Sequence, residues 1–412
     1  MAQLQPVRGT HDLLPEDARR HRRVEEIAFD IAGRYGFGEI VTPIFEFTEV
    51  FSRTLGEMSD VVTKEMYSFT DRSGDSITLR PEGTAAVARA FISGGLAQQL
   101  PLKLFYRGPM FRHERPQKGR LRQFHQIGVE LLGVEGPEAD VEVLALAAHI
   151  LDALGLKDKV TLELNTLGDG ESRQDYRRAL VDYFTVHRAH LSEDSLERLG
   201  RNPLRILDSK DEGDRAVVAE APLLADYLND RSRHFFDSVQ AGLKALKIAY
   251  QLSPRLVRGL DYYDHTAFEF TTTALGAQGT VLAGGRYDGL IGQMGGPSTA
   301  GIGWAAGVER LSMLFAGPVP AERPFVVIPM NQPLAALSLT ERLRRAGFSV
   351  DQGFSGNLKK RLMRANRVNA RAAIILGDDE WARQAVAIRD LDAGSQQEIP
   401  LDALEAHLAQ FR

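Results

Sequence analysis

RHERPQKGRLRQFHQIGVE, residues Arg112 to Glu130, places five cationic residues around a turn whose flanks alternate like strands. Such a hairpin has the composition to hold a polyphosphate. Under the two-residue period of a strand, Phe124, Gln126, Gly128 and Glu130 share one face of the second flank, and Met110, Arg112 and Glu114 share one face of the first. Gly128 should leave a gap. Paired strands would then bring an arginine, an amide and a carboxylate together over a floor cleared by that glycine, which suits a substrate carrying both charges. A solvated basic loop on an ordinary hairpin is the competing reading.

Working outward, 412 residues with 43% hydrophobic content suffice for two or three domains with ordinary cores. The chain has no cysteine, so disulfides, thiolate metal sites and a cysteine nucleophile are excluded. MAQLQPVRGTHDLLP lacks an apolar signal core, and the most apolar helical stretch, Val143 to Leu156, is interrupted by His149 and Asp152. The expectation is a cytoplasmic protein with no membrane segment. The net charge of −5 argues against a protein that coats nucleic acid, and residues 324–412 carry +2 of it, with 12 basic and 10 acidic residues. RNA contacts are therefore expected to be local. The acid-free run NLKKRLMRANRVNAR, Asn357 to Arg371, would set Lys360, Arg364, Arg367 and Arg371 along one helical face, where the alternative is a solvated surface.

The punctuation predicts an amphipathic first helix over about Glu16 to Tyr35, ending at Gly36. Glu65–Thr70 and Ser76–Arg80 read as a hairpin, and Pro81–Thr84 as the opening of a helix. Lys103–Glu114 and Arg122–Leu132 form the central hairpin, with further strands at Thr266–Thr273 and Thr280–Ala283. Successive hairpins imply an α+β fold, an antiparallel sheet with helices such as Pro137–Leu154 flanking it. Residues of about 168–234 are charged and helical and read as an insertion. AGPVPAERP, Ala316 to Pro324, reads as a linker to a small α/β domain at 324–412, leaving 1–320 as the larger domain. No GxxxxGK[ST] loop, HIGH or KMSKS peptide, or HExxH motif is present.

The central hairpin resembles motif 2 of the class II aminoacyl-tRNA synthetases in its histidyl form, and six other family signatures stand in order along the chain. RGTHDLLP (Arg8–Pro15) is followed by a motif 1 region, GFGEIVTPIFEFTEVF (Gly36–Phe51), and by LRPEGT (Leu79–Thr84). LVRGLDYY (Leu256–Tyr263) and AGGRYDGL (Ala283–Leu290) are similar to the signatures peculiar to the histidine enzymes, and GIGWAAGVERL (Gly301–Leu311) to motif 3.

The resemblance implies a two-step acyl transfer. ATP activates L-histidine to histidyl-adenylate, and the adenylate acylates the terminal ribose of histidine tRNA, with Mg²⁺ accompanying ATP. By motif match, Arg258, Arg112 and Arg310 would be the catalytic cations. The histidine pocket would use Glu82, Gly83, Thr84, Arg112, Gln126, Glu130, Arg258, Tyr262 and Tyr263, with Glu130 and Tyr263 reading the imidazole. ATP would meet Arg112, Glu114, Arg120, Phe124 and Arg310, and tRNA would meet Lys118, Arg122, Lys360, Arg364 and Arg367. No metal ligands are assigned. Gly284, Gly285 and Gly289 are expected to serve both backbone turns and close approach to substrate, and Asp264 stands where the family usually has asparagine. Motif 1 implies a homodimer, and the last domain an anticodon-binding role.

Each assignment has a plainer rival. Glu82 could interact with a helix N-terminus, and Tyr262 and Tyr263 could be core aromatics. The whole chain could instead resemble the noncatalytic, histidine-binding regulatory subunit of ATP phosphoribosyltransferase. That relative typically lacks the last domain and has eroded RGLDYY and motif 3 segments, which this chain retains.

Overall fold

The computed structural model describes residues 3–55, 61–257, 262–276 and 279–411. Residues 1–319 and 320–412 form two compact units. In the first, the strands in chain order are β1 (Gly38–Glu39), β2 (Phe45–Phe47), β3 (Tyr67–Thr70), β4 (Ser76–Leu79), β5 (Leu102–Phe111), β6 (Gln123–Leu132), β7 (Thr161–Thr166), β8 (Gln251–Leu252), β9 (Asp264–Thr271), β10 (Thr280–Arg286) and β11 (Gly301–Gly307). Eight of them make one sheet in the order β1-β5-β6-β11-β10-β9-β7-β8, and β2-β4-β3 make a smaller one. Its interior is antiparallel, while β1 joins β5 and β8 joins β7 in parallel at the edges.

The two-residue period of β6 decides which side of the large sheet does what. Ile127, Val129 and Leu131 point into a core shared with the helices Pro15–Arg34, Glu138–Ala153 and Val308–Leu314. Phe124, Gln126, Gly128 and Glu130 take the opposite face. Direct opposition in β5 adds Met110 against Phe124 and Tyr106 against Gly128. One expectation fails here. The space over Gly128 is filled by the Tyr106 ring, 2.3 Å from where a Cβ would lie, so the glycine admits a neighbouring side chain rather than a ligand.

The charged stretch after β7 folds into helices Gly170–Val186, Glu193–Arg201, Glu212–Ala219 and Asp230–Ala245, the first three sharing a small apolar core of their own. Asp169, Ser192, Asp211 and Asn229 cap the four N-termini through side-chain oxygens, supplying acceptors for N–H groups that have no intrahelical partner.

In the second unit, β12 (Phe325–Pro329), β13 (Val350–Gln352), β14 (Ala372–Leu376), β15 (Ala385–Asp390) and β16 (Gln396–Pro400) form a sheet in the order β13-β12-β14-β15-β16. β12 is parallel to both neighbours, and the last two pairings are antiparallel. The basic helix spans Leu358–Arg367, so Arg371 lies beyond it, half-buried over the Phe411 ring and 3.5 Å from Asp392. The expected four-residue cationic stripe therefore ends at Arg367. Val368 closes the helix and Asn369 adopts a left-handed φ of 52°, turning the chain before Arg371.

Candidate active site

A cleft of about 560 Å³ opens on the face of the large sheet that carries Gln126. Its lining includes Glu82, Thr84, Arg112, Glu114, Arg120, Phe124, Gln126, Tyr262, Tyr263 and Arg310. Phe124 and Gln126 on β6, Val281 and Ala283 on β10 and Ala305 on β11 are brought to one wall by the antiparallel pairings of β6 with β11 and of β11 with β10. Gly83 and Glu130 do not line the cleft, although Glu130 accepts from the Thr84 hydroxyl, which does. Arg258 falls outside the described residues. Lys118 and Arg122 belong to the hairpin turn but do not line the cleft.

The turn is tight. Gln117 and Arg120 exchange backbone hydrogen bonds of 3.0 and 2.9 Å, and Gly119 between them has a φ of 71°, which only glycine adopts freely. Its carbonyl accepts from Arg310 Nε at 3.0 Å, and the Thr280 carbonyl accepts from another nitrogen of that guanidinium. Arg310 is thereby pinned between the turn and β10. Arg112 donates from Nε to the Pro81 carbonyl at 2.8 Å and stacks over Phe124, while Arg120 pairs with Glu114 at 2.7 Å. Burial, then the neighbouring Arg120, lower the Arg310 pKa, though a guanidinium stays charged. The crowding of cations in a half-buried site is the electrostatic condition that an anionic ligand relieves.

The other end of the cleft is acidic and hydroxylic. Glu82 accepts the Thr84 and Ala85 N–H groups at 2.8 and 2.7 Å, so its carboxylate caps the helix Thr84–Ser93 as the plainer reading held, while still facing the cleft. The Thr84 hydroxyl donates to Glu130 at 2.6 Å, and the Tyr287 hydroxyl donates to its other oxygen. Glu130 is fully buried, and burial pushes its carboxyl up to about 8. A side chain at Gly303 would sit 1.9 Å from that carboxylate, so glycine is needed there. Gln126 Oε1 is buried without a hydrogen-bond partner among the described residues, an acceptor suited to an ammonium group. Tyr262 and Tyr263 are both core aromatics and cleft lining, 4.5 Å apart by ring centroid.

The GGRYDG segment proves architectural. Gly284 packs on the Gly303 carbonyl and Trp304, Gly285 on the Thr266 carbonyl and Tyr263, and neither they nor Gly289 line the cleft. Arg286 is fully buried and satisfied by Asp140, Asp288 and the carbonyls of Val134 and Gly136. Asp264 accepts the Asp288 N–H, and burial together with the Asp288 charge raises its carboxyl to about 7.

Sequence reasoning missed Lys210, Glu269, Thr280 and Glu309 as cleft residues. The alternation of Phe268 and Phe270 into the core would have placed Glu269 on the cleft face, whereas nothing local marks Lys210. Glu309 accepts both the backbone N–H and Nδ1 of His125 at 2.9 Å, and His21 lies against the same histidine ring. His125 thus occupies the face opposite Gln126, as its strand position implied.

A model of the family described as histidyl-tRNA synthetase matches residues 9–311, about three quarters of the chain. The chain belongs to the histidyl-tRNA synthetase family. A second match, described as an anticodon binding domain, covers residues 325–410. The chain is 68% identical to a histidine–tRNA ligase of Rhodospirillum rubrum over the whole of both chains. It is 56% identical to one from Gluconacetobacter diazotrophicus over 99% of each. Its fold is similar to that of the apo S. aureus histidyl-tRNA synthetase, with a TM-score of 0.83, 36% identity, and 98% and 99% of the two chains covered.

Proposed function

We propose that this protein is a histidine–tRNA ligase that activates L-histidine with ATP in the cleft and transfers it to the 3′ end of histidine tRNA. The observation that carries the reading is the polarity of one cleft. Pinned guanidiniums stand at one end, and an orphan amide acceptor with buried carboxyls stands at the other. That division matches the two reactants, a polyphosphate and an amino acid with an ammonium group and an imidazole.

In the first step the histidine carboxylate attacks the α-phosphorus of ATP, forming a mixed anhydride as the bond to pyrophosphate breaks. The nucleophile is already an anion, so the protein supplies alignment and charge stabilisation rather than a base. Arg112, oriented by Pro81 and Phe124, binds the α-phosphate and carboxylate, and Arg310 and Arg120 take the distal phosphates. Arg258 bridges carboxylate and α-phosphate by motif match. Glu82, Thr84 and Gln126 receive the ammonium group, and Tyr263 and Glu130 read the imidazole. A pocket of buried hydrogen-bonding groups rejects isosteres that leave those groups unpaired. Glu114 and Glu269 line the cleft with the hard oxygen donors that Mg²⁺ takes, and the ion when bound offsets phosphate charge.

The second unit serves as the anticodon-binding domain, with Lys360, Arg364 and Arg367 exposed on its basic helix, although Arg364 also pairs with Asp351 at 2.7 Å. The protein works as a C2 homodimer in the cytoplasm. Support for the dimer comes from the β2-β4-β3 sheet, which exposes Phe45, Phe47 and Phe69 on one face beside exposed Val41 and Ile44. A monomeric sedimentation profile at working concentration would overturn it. Among the described residues no helix is long and apolar enough to cross a membrane. The regulatory-subunit reading is disfavoured by full-length similarity to ligases and by the match over residues 325–410.

The deciding experiment is ATP/pyrophosphate exchange with each of the twenty amino acids and no tRNA. Exchange with histidine alone is expected. Histidine binding without exchange would favour the regulatory reading instead.

A further inference from the structure

We propose that Lys210, carried by the helical insertion, binds a phosphate group of the reactants and makes the insertion part of the active site. The proposal rests on the ligase reading for the identity of the reactants. Four cations line the cleft among the described residues, namely Arg112, Arg120, Arg310 and Lys210. Three are already engaged: Arg112 with Pro81 O, Arg120 with Glu114, and Arg310 with Gly119 O and Thr280 O. Lys210 alone has no hydrogen bond or ion pair within the described structure, and it is exposed. An ammonium without a partner, in a cleft also lined by three guanidiniums, is a cation available to an incoming anion.

The backbone that carries Lys210 is held in place. Its neighbour Ser209 donates through Oγ to the buried Asp214 carboxylate at 2.5 Å. The same carboxylate takes the Ser192 N–H at 2.8 Å and the hydroxyls of Ser192 and Ser195 at 2.7 and 2.6 Å. These donors hold Asp214 below the usual carboxylate range despite its burial. The insertion is also tied to the substrate pocket, because Arg173 donates to the Tyr263 carbonyl at 2.6 Å. The backbone is thus fixed at the rim of the cleft, while the ammonium that lines the cleft is left available to a phosphate.

The chemistry is a phosphate oxygen, supplied either by the nucleotide's polyphosphate or by a phosphodiester at the 3′ end of the RNA. Lys210→Ala and Lys210→Arg separate these sources, with Arg215→Ala, an exposed cation of the same insertion outside the cleft, as the control. If the nucleotide is the partner, Lys210→Ala raises the KM for ATP in pyrophosphate exchange by about tenfold, the worth of one charge-assisted hydrogen bond. If the RNA end is the partner, exchange is unchanged and the KM for tRNA in aminoacylation rises by about tenfold. In either case Lys210→Arg restores most of the loss, and the melting curve and the Arg215→Ala variant match wild type. Exchange and charging both within about twofold of wild type would overturn the proposal. Should wild type show no histidine-dependent exchange, the ligase reading fails separately. Calorimetric titration with pyrophosphate and with a tRNA 3′-end oligonucleotide then decides Lys210, and equal affinities of wild type and Lys210→Ala for both would reject it.

Discussion

Replacing Glu130 with glutamine should stabilise the ligand-free protein at neutral pH while weakening its hold on histidine. The buried carboxyl has its pKa pushed up from 4.5 to about 8 by burial, so between those values the folded chain keeps a proton that the unfolded chain has released. Stability therefore falls as pH rises across that window, by about 1.4 kcal/mol per pH unit. From pH 4.5 to pH 7 the loss is about 3 kcal/mol. Glutamine has the same shape and no charge. Its oxygen can accept from Thr84 and its amide can donate to Tyr287, so the variant should lack this slope. The assay is thermal unfolding of full-length wild type and Glu130→Gln without ligands, at pH 5, 6, 7 and 8. The variant's melting temperature should gain on wild type as pH rises, by about 5 °C at pH 7 for a domain of this size. Histidine affinity at pH 7 should fall by up to about tenfold, the worth of one hydrogen bond to the neutral carboxyl. Parallel melting curves across the whole range would refute the buried-proton argument, and an unchanged histidine affinity would refute the imidazole assignment.

Arg286→Ala should destabilise the first unit by about 3–5 kcal/mol, because it strands the fully buried Asp140 without its partner; unfolding within about 1 kcal/mol of wild type would refute the clamp. Asp264→Asn should keep the Asp288 N–H bond and lose a pH dependence. Its stability relative to wild type should rise between pH 3.8 and about 7, and a constant difference would show that Asp264 is ionised throughout. His125 has its pKa raised above 6.5 by the hydrogen bond to Glu309, with Glu25 adding to the effect and burial opposing it. Its stabilisation is complete below pH 6.5 and is lost as pH rises through the folded value, so His125→Gln should lie furthest below wild type in acid. A gap in melting temperature that stays constant from pH 6 to pH 9 would exclude a charged His125.

The order of elements was legible because its causes are local. Apolar alternation in β6, the turn at Gln117–Arg120 and the apolar spacing of the first helix depend on residues a few positions apart. The polar wall of the cleft was legible too, since one strand period puts Phe124 and Gln126 on the same side. What remained closed to inspection involved distant partners. That Tyr106 fills the space over Gly128 depends on the register between β5 and β6. That Arg286 is a clamp depends on Asp140, almost 150 positions away, and local spacing could not distinguish it from a substrate arginine.

The sequence by itself determined the family, through seven motifs in order, and with them the chemistry that the side chains are able to perform. Tertiary structure alone decided which of those side chains are already engaged. Glu82 caps a helix, Glu130 retires beneath Thr84 and Tyr287, Arg310 is pinned across a turn, and Lys210 is left unengaged over the cleft. The physical reason is that burial and hydrogen-bond satisfaction are properties of neighbours in space, which a linear motif specifies only when those neighbours lie within it.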